Sequence, residues 1–260
     1  MVAAAIAALS FSACDEIDEA DRFIELPKLE TSRKVLVEEF TGQGCTNCPD
    51  AHRSLAELSG LYGDDLIVVG IHAGSFGYAE GAFPTITGLM QPEGNEYAAH
   101  WGNLDAIGYP LAVIDRKGGP IPFREGTWPG IIREEFKIPA KLDIELSARI
   151  NAANEIEVTA LLESYADINA KLQMWVVEDN ITAPQLDNGN LIMDYKHNHV
   201  YRASINGTWG EDVTLTDQGT TTKTAKIKVR DNWNPENLHV VAFVYSDAEG
   251  VMQAEKTEVN

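Results

Sequence analysis

Two cysteines three positions apart form the strongest chemical motif in this sequence. Cys45 and Cys48 follow a short β-rich run, VLVEEF, and precede a segment with leucines at helical spacing that ends at Gly63. This order predicts a strand, a glycine-bearing turn and a helix. Free backbone N–H groups and the helix dipole would stabilise a thiolate at Cys45, and Cys48, one turn further on, is placed to close a disulfide. The pair therefore favours reactive dithiol chemistry.

Two other interpretations of this pair stay open. A purely structural disulfide is possible, although so short a loop stabilises a fold only weakly. A zinc half-site would combine both cysteines with His52, but the sequence lacks a second pair of thiolates. His52 lies on the same helix face as the cysteines, where it would tune Cys48 or remain a half-buried, hydrogen-bonded histidine. We predict no metal ion and no cofactor.

His197 and His199 form a second, weaker signal. In a strand, residues two apart face the same way, so both imidazoles would be able to hold a metal ion. A polar strand face is the more common reason for such a pair, and we favour it.

The N-terminus indicates export and a lipid anchor. An apolar run over residues 2–13 is too short to cross a bilayer and fits the core of a signal peptide. Its last residues, Ser-Ala-Cys, resemble a bacterial lipobox, which predicts a signal peptide over residues 1–14 with lipidation of Cys14. The alternative is ordinary secretory cleavage with Cys14 as a bystander. Residues 15–32 would form an acidic tether in an oxidising envelope compartment.

The rest of the chain changes its pattern near Pro139. Over residues 33–138 predicted strands alternate with helices, which favours a parallel or mixed sheet. Over residues 139–260 seven or more short strands follow one another without a convincing helix, which predicts an all-β sandwich. Two folded domains are expected.

Charge and motif content exclude several functions. Forty acidic residues against twenty basic ones give a net charge of −20, and no segment is basic. Nucleic acid and anionic lipid surfaces are therefore not expected partners. The sequence has no P-loop, GxGxxG, HExxH or GxSxG motif, so phosphoryl and acyl transfer have no candidate residues.

Three segments resemble the outer membrane protein 28 related family of Gram-negative envelope lipoproteins: VLVEEFTGQGCTNCPDAH, IGYPLAVIDR and YRASINGTWGED. The resemblance covers the chain from about residue 33. It implies an α/β thioredoxin-like N-terminal domain followed by an all-β immunoglobulin-like sandwich domain.

The resemblance also implies roles for individual residues. Cys45 would be the nucleophile and Cys48 the resolving thiol, with Pro110 as a cis-proline facing the disulfide. Tyr109 would shape the substrate groove, and Glu39 would be a buried acid that relays a proton to Cys48.

Two details qualify these roles. Gly44 stands before the first cysteine and Thr46-Asn47 between the pair, unlike thioredoxin, so the direction of the redox reaction is open. Glu38 and Glu39 must point to opposite faces of the strand, and we expect Glu39 to face inward.

The expected protein is a lipid-anchored outer membrane or envelope protein that performs thiol-disulfide exchange on exported proteins. Its partners would be exported protein thiols or disulfides, a redox partner, and the membrane through the lipid. The alternative is a non-enzymatic surface binding protein or adhesin that uses the β-sandwich and keeps the redox site as a vestige.

Overall fold

A computed structural model describes residues 33–83, 86–124 and 126–260. The predicted signal peptide, the lipidation site Cys14 and the acidic tether lie outside the described residues.

The first half of the described chain alternates strands with helices, as predicted. Its elements are β1 (Val35–Thr41), α1 (Cys48–Tyr62), β2 (Leu66–His72), α2 (Pro92–His100), α3 (Leu104–Ile107), β3 (Leu111–Ile114), β4 (Lys117–Pro122) and α4 (Thr127–Glu135). The chain reverses between β3 and β4 at Asp115 and Arg116, which both have positive φ. Gly118 and Gly119 lie inside β4.

The second half consists of strands joined by turns. They are β5 (Leu142–Ile150), β6 (Glu155–Ser164), β7 (Ile168–Glu178), β8 (Ile181–Thr182), β9 (Gln185–Asp187), β10 (Asn190–Ile192), β11 (Lys196–His197), β12 (Val200–Ser204), β13 (Glu211–Leu215), β14 (Thr220–Lys228), β15 (Leu238–Ser246) and β16 (Gly250–Glu258). The first two of these strands form a hairpin, since β5 and β6 pair antiparallel from Leu142–Ser164 to Ile150–Ile156.

The described residues form one nine-stranded mixed sheet that draws on both halves. Its order is β16-β15-β7-β12-β2-β1-β3-β4, with β13 also paired to β7. β1 lies in the interior, parallel to β2 and antiparallel to β3. The halves meet where β12 runs parallel to β2 through Val200 and Gly70. A separate three-stranded sheet has the order β14-β6-β5.

The predicted fold class is therefore wrong. The structure is predominantly β, and its largest sheet continues from the first half into the second, so a clear α/β thioredoxin-like N-terminal domain is not present in the described part of the chain. The expectation failed because local patterning pairs strands within each half and says nothing of the β2–β12 contact. The boundary near Pro139 stays a prediction.

Both faces of β1 and β2 are covered, which explains why every residue of these strands is buried. On one face Val37 packs with Leu55 of α1 and Ile132 of α4. On the other face Leu36 joins a cluster that includes Trp175 of β7. Polar side chains on β1 consequently need partners on whichever face they occupy.

Candidate functional site

Cys45 and Cys48 are joined by a disulfide at the end of the loop that follows β1. α1 begins at Cys48 with Asn47 as its N-cap, and Pro49 occupies the first turn, where a missing N–H costs little. Cys45 thus precedes the helix by three residues, and its N–H is bonded to the Gly42 carbonyl instead of lying free at a helix terminus. Both cysteines are buried, with 3 % and 0 % of their surface exposed.

A hairpin from the second half is bonded to the loop that carries Cys45. We call residues Gln185–Ile192, which contain β9 and β10, the covering hairpin. Its Leu186 N–H donates to the Gln43 carbonyl at 2.8 Å, and its Asn188 N–H donates to the Thr46 carbonyl at 3.0 Å.

A side chain of the same hairpin adds to this attachment. The Gln185 amide donates to the carbonyls of Gly42 and Cys45 at 3.2 and 3.0 Å, and the Gly189 N–H donates to Thr46 Oγ1 at 2.7 Å. The loop that carries Cys45 is therefore hydrogen-bonded to the second half of the chain through both backbone and side-chain groups.

Tyr109 joins the two cysteines in one apolar cluster, which also includes Phe40. The Tyr109–Pro110 peptide bond is cis, as the resemblance implied. Burial, helped by the Asp105 charge, raises the pKa of Tyr109 to about 12, and its hydroxyl has no hydrogen-bond partner. Of the predicted site residues, the structure thus brings Cys45, Cys48 and Tyr109 together.

Glu39 lies among a different set of groups. It is buried, and its Oε1 lies 3.2 Å from Nε2 of His52. That same His52 nitrogen lies 3.0 Å from Thr41 Oγ1, and the opposite ring nitrogen lies 2.9 Å from the hydroxyl of Tyr195. Glu39 and His52 therefore belong to a polar group on the α1 side of the sheet, and their roles toward Cys48 stay predictions.

A cavity of about 210 Å³ opens beside this polar group. Its floor is formed by alternate residues of β1 and β2, because these share one face of the sheet. One side is formed by α1 and the other by the segment around β11. The lining residues are Glu39, Thr41, His52, Arg53, Leu55, Ala56, Val68, Gly70, His72 and residues 195–199.

Two histidines in this cavity are buried and uncharged. His72 and His197 are each 3 % exposed, and their ring centroids lie 5.3 Å apart. Burial, reinforced by the neighbouring His197, holds the pKa of His72 well below its ordinary value. Burial also lowers the pKa of His197 to about 3, chiefly because an imidazolium ion would lose its hydration there.

His197 and His199, expected to point the same way on a polar strand face, do not share a strand. His199 has positive φ, which breaks the alternation of the strand, and its Nδ1 lies 2.9 Å from Asp179 instead. The ring neighbours of His197 are Tyr195, with centroids 4.8 Å apart, and His72. Within the described part of the chain, no group of three or more His, Cys, Asp or Glu side chains is arranged to hold a metal ion.

The position of His72 in the sequence indicates that it is buried. It ends a continuous apolar strand, and a polar side chain inside a buried run is more informative than one on a polar face. Gln185 and the covering hairpin had a turn signal in Asp187-Asn188-Gly189-Asn190, but no sequence pattern indicated what the hairpin would contact.

Comparison with known proteins gives the class of this chain. The family profile described as outer membrane protein Omp28 matches residues 95–260. The chain therefore belongs to the Omp28 outer membrane protein family, which confirms the predicted outer membrane localisation. Among the described residues, no helix is long and apolar enough to cross a membrane.

Two solved structures from Porphyromonas gingivalis are similar to this chain. HBP35 of Porphyromonas gingivalis superposes with a TM-score of 0.70 at 16 % identity, over 89 % of this chain and 77 % of that one. A domain of the outer membrane lipoprotein Omp28 from P. gingivalis is 22 % identical, with a TM-score of 0.34, over 46 % of this chain and 89 % of that one. No curated protein matches the sequence.

Proposed function

We propose that this outer membrane protein is a non-enzymatic binding protein and that its Cys45–Cys48 disulfide is structural. The observation that carries this proposal is the covering hairpin, whose hydrogen bonds tie the loop of Cys45 to the second half of the chain. A working dithiol needs a nucleophilic sulfur that its substrate reaches, and both cysteines are buried.

The histidine-lined cavity supports the binding part of the proposal. Binding sites are concave and carry a few convergent polar groups, and this cavity combines a carboxylate with buried imidazoles. It lies on the α1 side of the sheet and is lined by neither cysteine, so ligand binding would not require thiol chemistry.

The remaining part of the proposal concerns attachment. A lipid on Cys14 would hold the folded part at the membrane through the tether of residues 15–32. Mass spectrometry of the protein isolated from its own membranes should find a diacylated or triacylated Cys14 as the first residue. An unmodified residue 14 would contradict the anchor.

Reduction kinetics test whether the disulfide is structural. We expect dithiothreitol to reduce the native disulfide at least about tenfold more slowly than it does in a variant whose residues 186–191 are replaced by two glycines. The native protein should not accelerate reduction of insulin. The Cys45→Ser/Cys48→Ser variant is the matched control and should give the same insulin rate.

Two outcomes would contradict this account. The first is reduction of insulin by the native protein that the double-serine variant loses. The second is accumulation of mixed disulfides with envelope proteins in a Cys48→Ser variant. Either result would establish thiol-disulfide exchange as the working chemistry.

A further inference from the structure

A second cleft, of about 550 Å³, shares no lining residue with the histidine-lined cavity. The end of α2 and the turn between β3 and β4 contribute to it from the first half of the chain. The second half contributes β7, the segment before β13 and the end of β15. Its volume lies within the range of about 300–1,000 Å³ that small-molecule sites occupy. We call it the aromatic cleft after His100, Trp101, Trp209 and Tyr245, which line it.

Three of these rings follow one another along the cleft. The ring centroid of His100 lies 4.8 Å from that of Trp101 and 4.9 Å from that of Trp209. Both of these tryptophans are half-buried, whereas Trp128 and Trp175 are fully buried. A half-buried indole is held in place by its packed part and offers the rest of its apolar surface to a ligand. The row of rings therefore provides a preformed apolar wall.

The two cations that line the aromatic cleft are already paired within the protein. Arg116 Nε donates to Glu38 at 2.7 Å, and Lys171 Nζ donates to Asp212 at 2.8 Å. A cationic ligand would lie next to these two side chains and be repelled. An anionic ligand would approach a chain of net charge −20 without an unpaired cation to receive it. The charges therefore favour a neutral ligand.

Polar groups beside the rings favour a ligand that also forms hydrogen bonds. Lys171 has N–H donors, the Ser246 hydroxyl donates and accepts, and the Asp247 carboxylate accepts. A purely apolar ligand would remove such groups from water without replacing their hydrogen bonds, which costs about 1–3 kcal/mol for each group. A neutral pyranose has C–H groups on the face of its ring and hydroxyls around its edge, so it matches both parts of the cleft.

We propose that the aromatic cleft binds a neutral pyranose sugar, whose ring packs against Trp101 and Trp209 and whose hydroxyls bond to Ser246 and Asp247. The inference goes beyond the proposed function, because the cleft is separate from the cysteines and from the histidine-lined cavity.

A glycan microarray tests the proposal with the full-length protein in lauryldimethylamine oxide, a detergent without a sugar headgroup. The array carries neutral oligosaccharides together with sialylated and uronic-acid ones. We expect binding to neutral pyranose glycans and weaker or no binding to the acidic ones. Binding of p-nitrophenol in a fluorescence titration, without any glycan signal, would identify a planar aromatic ligand instead and contradict the proposal.

Removal of one ring should weaken this binding. We expect Trp101→Ala to raise the apparent Kd, measured over a dilution series on the array, by at least about tenfold, because the sugar loses its contact with the indole. Trp101→Phe keeps a ring and should recover part of the loss. Tyr165→Ala is the matched control, because Tyr165 is an aromatic residue that is 43 % exposed and does not line the cleft.

A second variant keeps the test valid if Trp101→Ala fails to fold. Asp247 is exposed in the turn between β15 and β16, so Asp247→Ala should fold. It should also weaken glycan binding, because a hydrogen-bond acceptor for a sugar hydroxyl is lost.

Each outcome has a defined meaning. Weaker binding of neutral glycans by Asp247→Ala or by a folded Trp101→Ala, with unchanged binding by Tyr165→Ala, supports the inference. Absence of glycan binding, preference for acidic glycans, unchanged binding by all variants or an equal loss in Tyr165→Ala would overturn it. Insulin reduction would overturn the proposed function independently, because it reports on the cysteines.

Discussion

Glu38 and Glu39 are neighbours on β1, and both are buried, but they meet different surroundings. Glu38 accepts a hydrogen bond from Arg116 Nε at 2.7 Å, and the Arg116 guanidinium lies 4.2 Å from the ring centroid of Tyr245 and 4.8 Å from that of Phe243. Glu39, on the opposite face, lies beside His52 and the cavity that His72 and His197 also line.

Two neighbouring residues of one strand therefore have different roles: Glu38 belongs to an internal charge pair, and Glu39 borders the candidate binding cavity. On the Glu38 face the protein supplies the opposite charge itself, so that the buried carboxylate is compensated without a ligand. On the Glu39 face the carboxylate lies 3.2 Å from His52 Nε2 and borders a cavity of about 210 Å³, which leaves room for a ligand. Residue type and burial are the same on both faces, and only the surroundings differ.

Removal of the second half should have the largest effect on folding, because this half provides residues around both Glu38 and Glu39. His197 and Tyr195 border the cavity, and Tyr245 and Phe243 surround Arg116. We expect residues 33–138 expressed alone to lose the cooperative thermal unfolding that residues 33–260 show by circular dichroism. Cooperative unfolding of the short chain at an unchanged midpoint would instead support two independent domains divided near Pro139.

Replacement of Arg116 by Met should have the next largest effect. It leaves Glu38 buried without its partner and should lower the free energy of unfolding by about 3–5 kcal/mol. Burial already raises the pKa of Glu38 above its ordinary value, opposed by Arg116. Removing Arg116 raises that pKa further, and stability from a group with a raised pKa is lost as pH rises. The difference in unfolding free energy between Arg116→Met and the native chain, measured by urea titration, should therefore grow from pH 5 to pH 8.

A double variant serves as the control for this prediction. Glu38→Gln/Arg116→Met removes both charges and should recover at least half of the loss. A deficit below about 1 kcal/mol in the single variant would show that the two faces of β1 do not differ as described.

Replacement of His197 by Phe should change stability least. Phe removes the unpartnered Nε2 and also the ring hydrogen bond to the backbone of Ala183 and Pro184, so at pH 7.5 we expect a loss of about 1–3 kcal/mol. The folded pKa of His197, about 3, lies below its unfolded value, so this residue contributes stability above about pH 6.5 that is lost as pH falls toward 3. Thermal unfolding of His197→Phe should consequently be less sensitive to acid than that of the native chain.

His100→Gln is the matched control for this variant, because His100 is exposed and its removal also deletes one imidazole. If both variants showed the same change in acid sensitivity, burial of His197 would not be the cause.

The sequence allowed local structure to be predicted better than its assembly. The β-rich run VLVEEF predicted β1, and the CxxC spacing predicted the disulfide between Cys45 and Cys48. A continuous apolar strand shows that both faces are covered, but it does not say by what. The contact of β12 with β2 and the aromatic cluster around Arg116 join residues more than a hundred positions apart, and no spacing rule reports them.

The candidate site illustrates the same limit at single residues. His197 and His199 were expected to share a face, but His199 has a positive φ, which cannot be predicted from its residue type. His72 ends β2, and its ring lies near that of His197, which is more than a hundred positions away in the sequence. Glu39 was expected to face inward, and it does, but Glu38 is buried as well.

The Cys45–Cys48 disulfide distinguishes a binding protein from a thiol-disulfide oxidoreductase, because only the oxidoreductase needs it to react. Insulin reduction, followed in parallel for the native chain and for the Cys45→Ser/Cys48→Ser variant, tests this most directly. We predict equal rates for the two proteins. A rate that the native chain shows and the double-serine variant lacks would contradict the proposed binding function.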